Sequence, residues 1–324
     1  MSDVTATQLD QQQSALVADA APSWLRRIFL ANLVAQIGIV VTGGLVRLTG
    51  SGLGCPTWPE CVDGSITPTA QQAESWHKYI EFGNRVLSFA LAALAIAAVV
   101  GVWRWTLARR RQGLPARRPV ILLAAVPLAG TFAQAILGGI TVLTGLHPAT
   151  VAAHFLLSIA IIAGCTVLVT RAGEPGDGPL SIVVRPQLRA MAWGLVVLAL
   201  IIVIIGTVVT GSGPHAGDAD AAVRFGFDQR YVAWLHADAV LLFVGLQIGL
   251  LVAVSLTDTP GEVRGKAIHL LGLTVVNGVV GYSQLFTGLP WLLVAVHMLL
   301  ACLLWVAALR LLLSMRTRAV IAVP

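Results

Sequence analysis

Thr144-Gly-Leu-His-Pro148 and, later in the chain, Thr287-Gly-Leu-Pro290 each stand between two long apolar runs, and a histidine, His154 or His297, follows ten residues after each threonine. Glycine and proline at such a point end one helix and begin the next. The match extends outward from these turns. Gly138 in Gln134-Ala-Ile-Leu-Gly138 stands at the same offset as Gly281 in Asn277-Gly-Val-Val-Gly281. Further upstream, Val40-Val-Thr-Gly43 pairs with Val208-Val-Thr-Gly211, and Lys78-Tyr-Ile80 pairs with Arg230-Tyr-Val232. Self-similarity at a fixed spacing marks an internal repeat.

The repeat is written in membrane-spanning segments. Of the 324 residues, 57% are hydrophobic and 11% charged, with a mean hydropathy of +0.84. Soluble domains carry about 25% charged residues, so this chain has too little charge to cover a water-facing surface. Apolar runs fall at about 27–46, 79–103, 119–142, 149–170, 190–210, 231–255, 267–286 and 291–313, each long enough to cross a bilayer. The expected fold is an all-α integral membrane protein of eight transmembrane helices, arranged as two four-helix bundles. Four spans per repeat is an even number, which makes the repeat parallel rather than inverted.

The expected organisation is a disordered tail over 1–26, a first half over 27–171, a linker over 172–189, a second half over 190–315 and a tail over 316–324. The run after Arg26 and Arg27 lacks a small-residue cleavage site and reads as a retained first span rather than a signal peptide. Of the 21 Lys and Arg residues, five (Arg47, Lys78, Arg85, Arg224 and Arg230) fall on one side of the spans and sixteen on the other. The positive-inside rule then puts both termini in the cytoplasm. It also accounts for the net charge of +6 and the pI near 9.7 without a nucleic-acid partner. The long outer loops lie at about 47–78 and 211–230 and are where function is expected.

His154, His236 and His297 each lie a few residues inside the outer end of an even-numbered span, at one shared depth. An imidazole inside a bilayer is costly without a partner. A bis-histidine heme takes one ligand from each of two facing helices, and His236 with His297 meets that requirement. The other reading is hydrogen bonding between helices. In the first half the repeat places Asn84, not a histidine, opposite His236. The nearest candidate there is His77, seven residues earlier, which is two turns or about 10 Å further out. His147 and His215 are outer-loop residues, and His269 is at the cytoplasmic end of the seventh span.

These motifs carry a resemblance. Thr42-Gly-Gly-Leu-Val-Arg-Leu-Thr-Gly-Ser-Gly-Leu-Gly-Cys-Pro-Thr-Trp-Pro-Glu-Cys61 resembles the first span and first outer loop of heme A synthases. Ile80-Glu-Phe-Gly-Asn-Arg85 resembles that family's Glu-x-x-His-Arg motif, and Thr210-Gly-Ser-Gly-Pro-His-Ala-Gly-Asp218 resembles its third outer loop. The resemblance covers about residues 27–313 and implies an oxidoreductase that converts the ring-position-8 methyl of heme O to a formyl group through two hydroxylations and loss of water. It implies a heme b held by His236 and His297 in the second half. The substrate heme O would sit in the first half at His154, with Arg85 close by. It also implies a heme O synthase and a terminal oxidase as partners, a multi-pass protein of the cell membrane, and heme sites toward the outer face. A homo-oligomer is an open possibility.

This sequence departs from the family at Asn84, where the family has a histidine. The second ligand of the first-half iron is therefore His77, Asn84 or none. Glu81 takes the place of the motif glutamate, as a catalytic residue that handles a proton or orients water. Its structural reading is an ion pair with Lys78 or Arg85. Cys55 and Cys61 are expected to form a disulfide on the oxidising side, the alternative being a reactive dithiol. Two thiols without neighbouring ligands make a poor metal site. Cys165 and Cys302 read as small buried side chains. Outer arginines suit heme propionates or snorkel to the interface. Competing functions are a di-heme electron-transfer protein, a heme carrier or assembly factor, and a transporter.

Overall fold

A computed structural model of the protein describes residues 20–215, 217–218 and 223–319. Most of the expected N-terminal tail, residues 320–324 of the expected C-terminal tail, and Ala216 of the third-loop motif lie outside the described residues. Eight helices are long and apolar enough to cross a membrane: α1 (Ser23–Leu48), α2 (His77–Arg111), α3 (Arg118–Leu143), α4 (Pro148–Gly173), α5 (Pro186–Ser212), α6 (Gln229–Ser255), α7 (Gly261–Phe286) and α8 (Trp291–Ser314). The eight expected spans are all present. Their outward surfaces carry large exposed apolar side chains such as Phe89, Leu122 and Phe132. A water-soluble protein rarely exposes such patches, so these faces fit lipid.

Local chemistry sets the boundaries. Pro148 and Pro186 open α4 and α5 in the first turn, where a missing N–H costs nothing. Pro127 interrupts α3, whose helical bonding breaks at Ala125, because proline cannot donate to the carbonyl four residues back. The turns after α3 and α7 have one geometry. Thr144 and Thr287 donate their hydroxyls to Ile140 and Ser283 carbonyls at 2.8 and 2.7 Å. Gly145 and Leu146 have φ of 60° and 58°, and Gly288 and Leu289 have φ of 78° and 60°. A left-handed leucine is uncommon. Here each is held by a bond from its own N–H, to Thr141 and Gln284 carbonyls at 2.9 and 2.7 Å.

Within the first half α1 packs on α2, α2 on α3, α3 on α4 and α4 on α1; within the second half α5 to α8 close the same ring. The halves meet where α8 packs on α1 and α4, and where α4 packs on α5. The largest buried cluster lies at that seam, with Ile159, Ile162, Leu195, Phe243, Leu270 and Leu311 almost wholly enclosed. Trp305 of α8 donates its indole N–H to the Ile159 carbonyl of α4 at 3.0 Å.

The end of the bundle that holds Ala21 and Ala319 is closed by a feature the sequence pattern does not announce. β1 (Leu180–Ile182), in the link between halves, pairs antiparallel with β2 (Arg316–Arg318) after α8. Arg171, Arg117, Glu174 and Asp177 form a buried ion cluster beside it, with Asp177 2.5 Å from Arg171 and 3.0 Å from Arg117.

Candidate functional site

The three intramembrane histidines are placed by glycines. A β-carbon built on Gly138 of α3 would lie 3.2 Å from Cε1 of His154 on α4. On Gly281 of α7 it would lie 3.3 Å from Cε1 of His297 on α8, and on Gly206 of α5 it would lie 3.3 Å from Cε1 of His236 on α6. Each glycine is a notch in the neighbouring helix that lets an imidazole ring lie against backbone. Nδ1 of each histidine is buried without a hydrogen-bond partner.

His236 and His297 face each other with ring centroids 6.5 Å apart and planes at 63°. Two imidazoles on opposite sides of one metal ion have centroids about 6 Å apart, given metal–nitrogen bonds of about 2 Å. The pair fits a bis-histidine heme iron. Among the described residues no group of three His, Cys, Asp or Glu side chains forms a metal site of another kind.

The first half is built around a loop. Cys55 and Cys61 are joined by a disulfide, both fully buried, with Cα atoms 4.3 Å apart. Glu81 of α2 accepts the Cys55 backbone N–H on Oε2 at 2.7 Å and a charged bond from Arg85 Nη2 on Oε1 at 2.6 Å. Of the two pairings expected for Glu81, Arg85 makes it. Lys78 instead donates to the Thr69 and Gln72 carbonyls at 2.7 and 3.4 Å. Arg85 also donates to the carbonyls of Cys55, Thr57 and Glu60 at 2.8, 3.1 and 3.0 Å. Its guanidinium therefore grips the loop, leaving little of it for a propionate. Arg47 is engaged likewise, by the carbonyls of His215 and Thr210 at 2.7 and 3.1 Å.

The disulfide loop reaches α3 through Trp58. A β-carbon on Gly139 would lie 2.6 Å from the Trp58 indole, and the adjacent Gly138 is the glycine behind His154. Sequence reasoning names Gly138 but misses Trp58, although the Gly138-Gly139 pair was a signal that two rings dock there. It also misses Thr42, which donates to Asn84 Oδ1 at 2.8 Å.

His77 is at the outer end of α2, its Nδ1 2.8 Å from the Ser51 hydroxyl and its ring stacked on Trp76 at 4.0 Å. His147 caps the start of α4, accepting from the Ala149 N–H at 3.3 Å. His215 binds the Leu289 carbonyl through Nε2 at 2.8 Å. The two long loops are laced together: Gly52 donates to the Gly217 carbonyl at 2.9 Å, and Ser51 bridges Asp218. A β-carbon on Gly52 would meet that carbonyl at 2.9 Å and Leu146 at 2.7 Å, so only glycine fits the crossing.

The chain is 31% identical over 155 residues to a heme A synthase of Alkalihalophilus pseudofirmus, covering 47% of this chain and 48% of that one. It is 25% identical over 280 residues to the heme A synthase of Bacillus pumilus, covering 82% and 87%, and 23% identical over 308 residues to that of Bacillus cereus, covering 91% and 94%. Against the Alkalihalophilus protein, and a heme A synthase of Halalkalibacterium halodurans, the match spans about half of the relative's length. The COX15-CtaA family of cytochrome oxidase assembly proteins matches residues 26–309, nearly the whole helical bundle, and the chain belongs to that family.

Proposed function

We propose that the protein is a heme A synthase that oxidises the ring-position-8 methyl of heme O to a formyl group in its first half, with a resident heme b held by His236 and His297 in its second. The observation that carries this is the pair of half-buried imidazoles facing each other 6.5 Å apart, with a third imidazole backed by glycine in the same way in the other half. Family membership and the named relatives support it.

The resident heme would supply an electron-transfer centre. The remaining roles fall to the chain. His236 and His297 hold that group rigidly, each wedged against a glycine. His154 holds the substrate iron and so fixes the porphyrin ring in the first half. The disulfide loop, with Trp58 against α3, covers that site and limits water. Glu81 is the proton-handling group of this reading, held in place by Cys55 and Arg85. Arg85 positions the loop and Glu81 together. In this reading the halves are parallel repeats, the termini are cytoplasmic, and both hemes lie toward the outer face of the cell membrane. A heme O synthase supplies the substrate and a terminal oxidase takes the product.

The test is extraction and chromatography of hemes from cells making this protein with a heme O synthase. Heme A is expected with the wild type, and heme O should accumulate in its place with His236→Ala. Finding only heme B and heme O beside well-folded wild-type protein would overturn the synthase reading and favour electron transfer or heme carriage.

A further inference from the structure

The two halves part at one position. Aligning Val40-Val-Thr-Gly43 with Val208-Val-Thr-Gly211 sets Gly38 against Gly206, and aligning Lys78-Tyr-Ile80 with Arg230-Tyr-Val232 sets Asn84 against His236. In the second half the Gly206 notch is filled by the His236 ring, 3.3 Å from a β-carbon built there. In the first half a β-carbon built on Gly38 would meet no described atom within 4 Å. The notch is kept and the ring that would fill it is absent.

Asn84 does not take over the role of the missing ring. A carboxamide ligates metal through its oxygen, the atom that carries the lone pairs. That oxygen accepts the Thr42 hydroxyl at 2.8 Å, and a neutral carboxamide oxygen is a weaker iron ligand than an imidazole nitrogen. The atom left over is Nδ2, 3.7 Å from a β-carbon built on Gly43, and among the described residues it has no acceptor. A donor cannot bind iron, but it can hydrogen-bond a lone-pair ligand that does. His77, its Nδ1 held by Ser51 and its ring stacked on Trp76, is a poor substitute because of its depth. It is about two turns, or ~10 Å, further out along α2 than Asn84.

We infer that the first-half iron site has His154 as its one protein ligand, and that the opposite axial position is open to a small lone-pair ligand, of the size of water or cyanide, which the Asn84 amide N–H holds. The inference rests on the ligand set proposed above. It gives the two halves different work, since a doubly ligated iron suits electron transfer and a singly ligated one admits a reactant.

The experiment uses full-length protein purified in detergent and saturated with heme b as the probe, with optical and electron paramagnetic resonance spectra of the ferric state. Two populations are expected, one low-spin and indifferent to cyanide, one high-spin and cyanide-binding. His297→Ala should remove the low-spin population and His154→Ala the high-spin one. Asn84→His should convert high-spin heme to low-spin and abolish cyanide binding. Asn84→Leu should keep it high-spin while weakening fluoride binding about tenfold, the loss of one hydrogen bond to an anion. A low-spin first-half heme in the wild type would overturn the inference, and its conversion by His77→Ala would identify the second ligand. An Asn84→His spectrum identical to wild type would overturn it too. Heme content and spectra untouched by His154→Ala would instead sink the first-half heme assignment itself, and the inference with it.

Discussion

The first and second halves share the order of their helix neighbours, the left-handed turn before their last helix and a glycine-backed histidine on that helix, yet their outer ends are closed differently. Over the first half lies a disulfide loop held by an ion pair, an arginine grip and an indole against α3. Over the second, Phe225 lies on Gly211, where a β-carbon would be 2.6 Å away, and donates its N–H to the Gly211 carbonyl at 3.0 Å. Among the described residues no second disulfide is found there. The difference teaches that two helix rings of the same neighbour order carry differently built covers.

Substitutions at four places break or sharpen this comparison, taken from the largest expected effect to the smallest. His297→Ala should empty the second-half site altogether while leaving first-half heme in place, as heme content per chain would read. A loss of both hemes would show that the halves do not bind independently. Glu81→Ala leaves the Arg85 guanidinium without its counter-charge and the Cys55 N–H without an acceptor. Removing one partner of such a buried pair costs about 3 kcal/mol, read as a fall in the thermal midpoint in detergent. Glu81→Gln keeps an acceptor for Cys55 and should fold nearly as well. If both variants lose heme A alike, the charge matters beyond holding the loop; if only Glu81→Ala does, Glu81 is a positioning residue.

Opening the disulfide by Cys55→Ser with Cys61→Ser frees a short loop, for which chain entropy predicts a loss of about 2 kcal/mol. That loss should appear as faster proteolysis within residues 55–61 and leave the second-half spectrum unchanged. The smallest effects test the notches. Gly38→Ala enters open space and should be neutral, or stabilising by up to about 1 kcal/mol from helix propensity. Gly206→Ala presses on His236 and should shift the second-half heme spectrum. Equal effects at the two glycines would remove the asymmetry between the halves.

The frame was legible in the sequence because a membrane helix is written as one continuous run. The turns were legible because threonine, glycine and proline act locally, so Thr144 and Thr287 announced the same geometry from a distance. The three intramembrane histidines stood out because a bilayer makes polar residues conspicuous. The lacing of the first loop was not legible. Lys78 and Arg85 look like partners for Glu81 at helical spacing, and only the folded loop decides between them by offering carbonyls to Lys78. Trp58 carries no signal of its own until Gly139 is seen beneath it. Arg47 looked free for a propionate because its partners are backbone carbonyls, which carry no sequence signal. β1 and β2 are too short to show a period of two, and each gains its pattern only from the other.

That small sheet also bears on how the molecule is made. The strand at Leu180–Ile182 emerges after the fourth membrane helix, while its partner at Arg316–Arg318 follows the eighth. Chains are synthesised from the N-terminus and their domains generally fold as units in that order. The first strand must therefore wait, unpaired, through the insertion of four more helices. The clasp acts as a completion mark, closing only on a chain whose eight helices have all been translated. A stop codon or a bulky fusion placed just after α8 would leave the inserted helices in the membrane but without their lock.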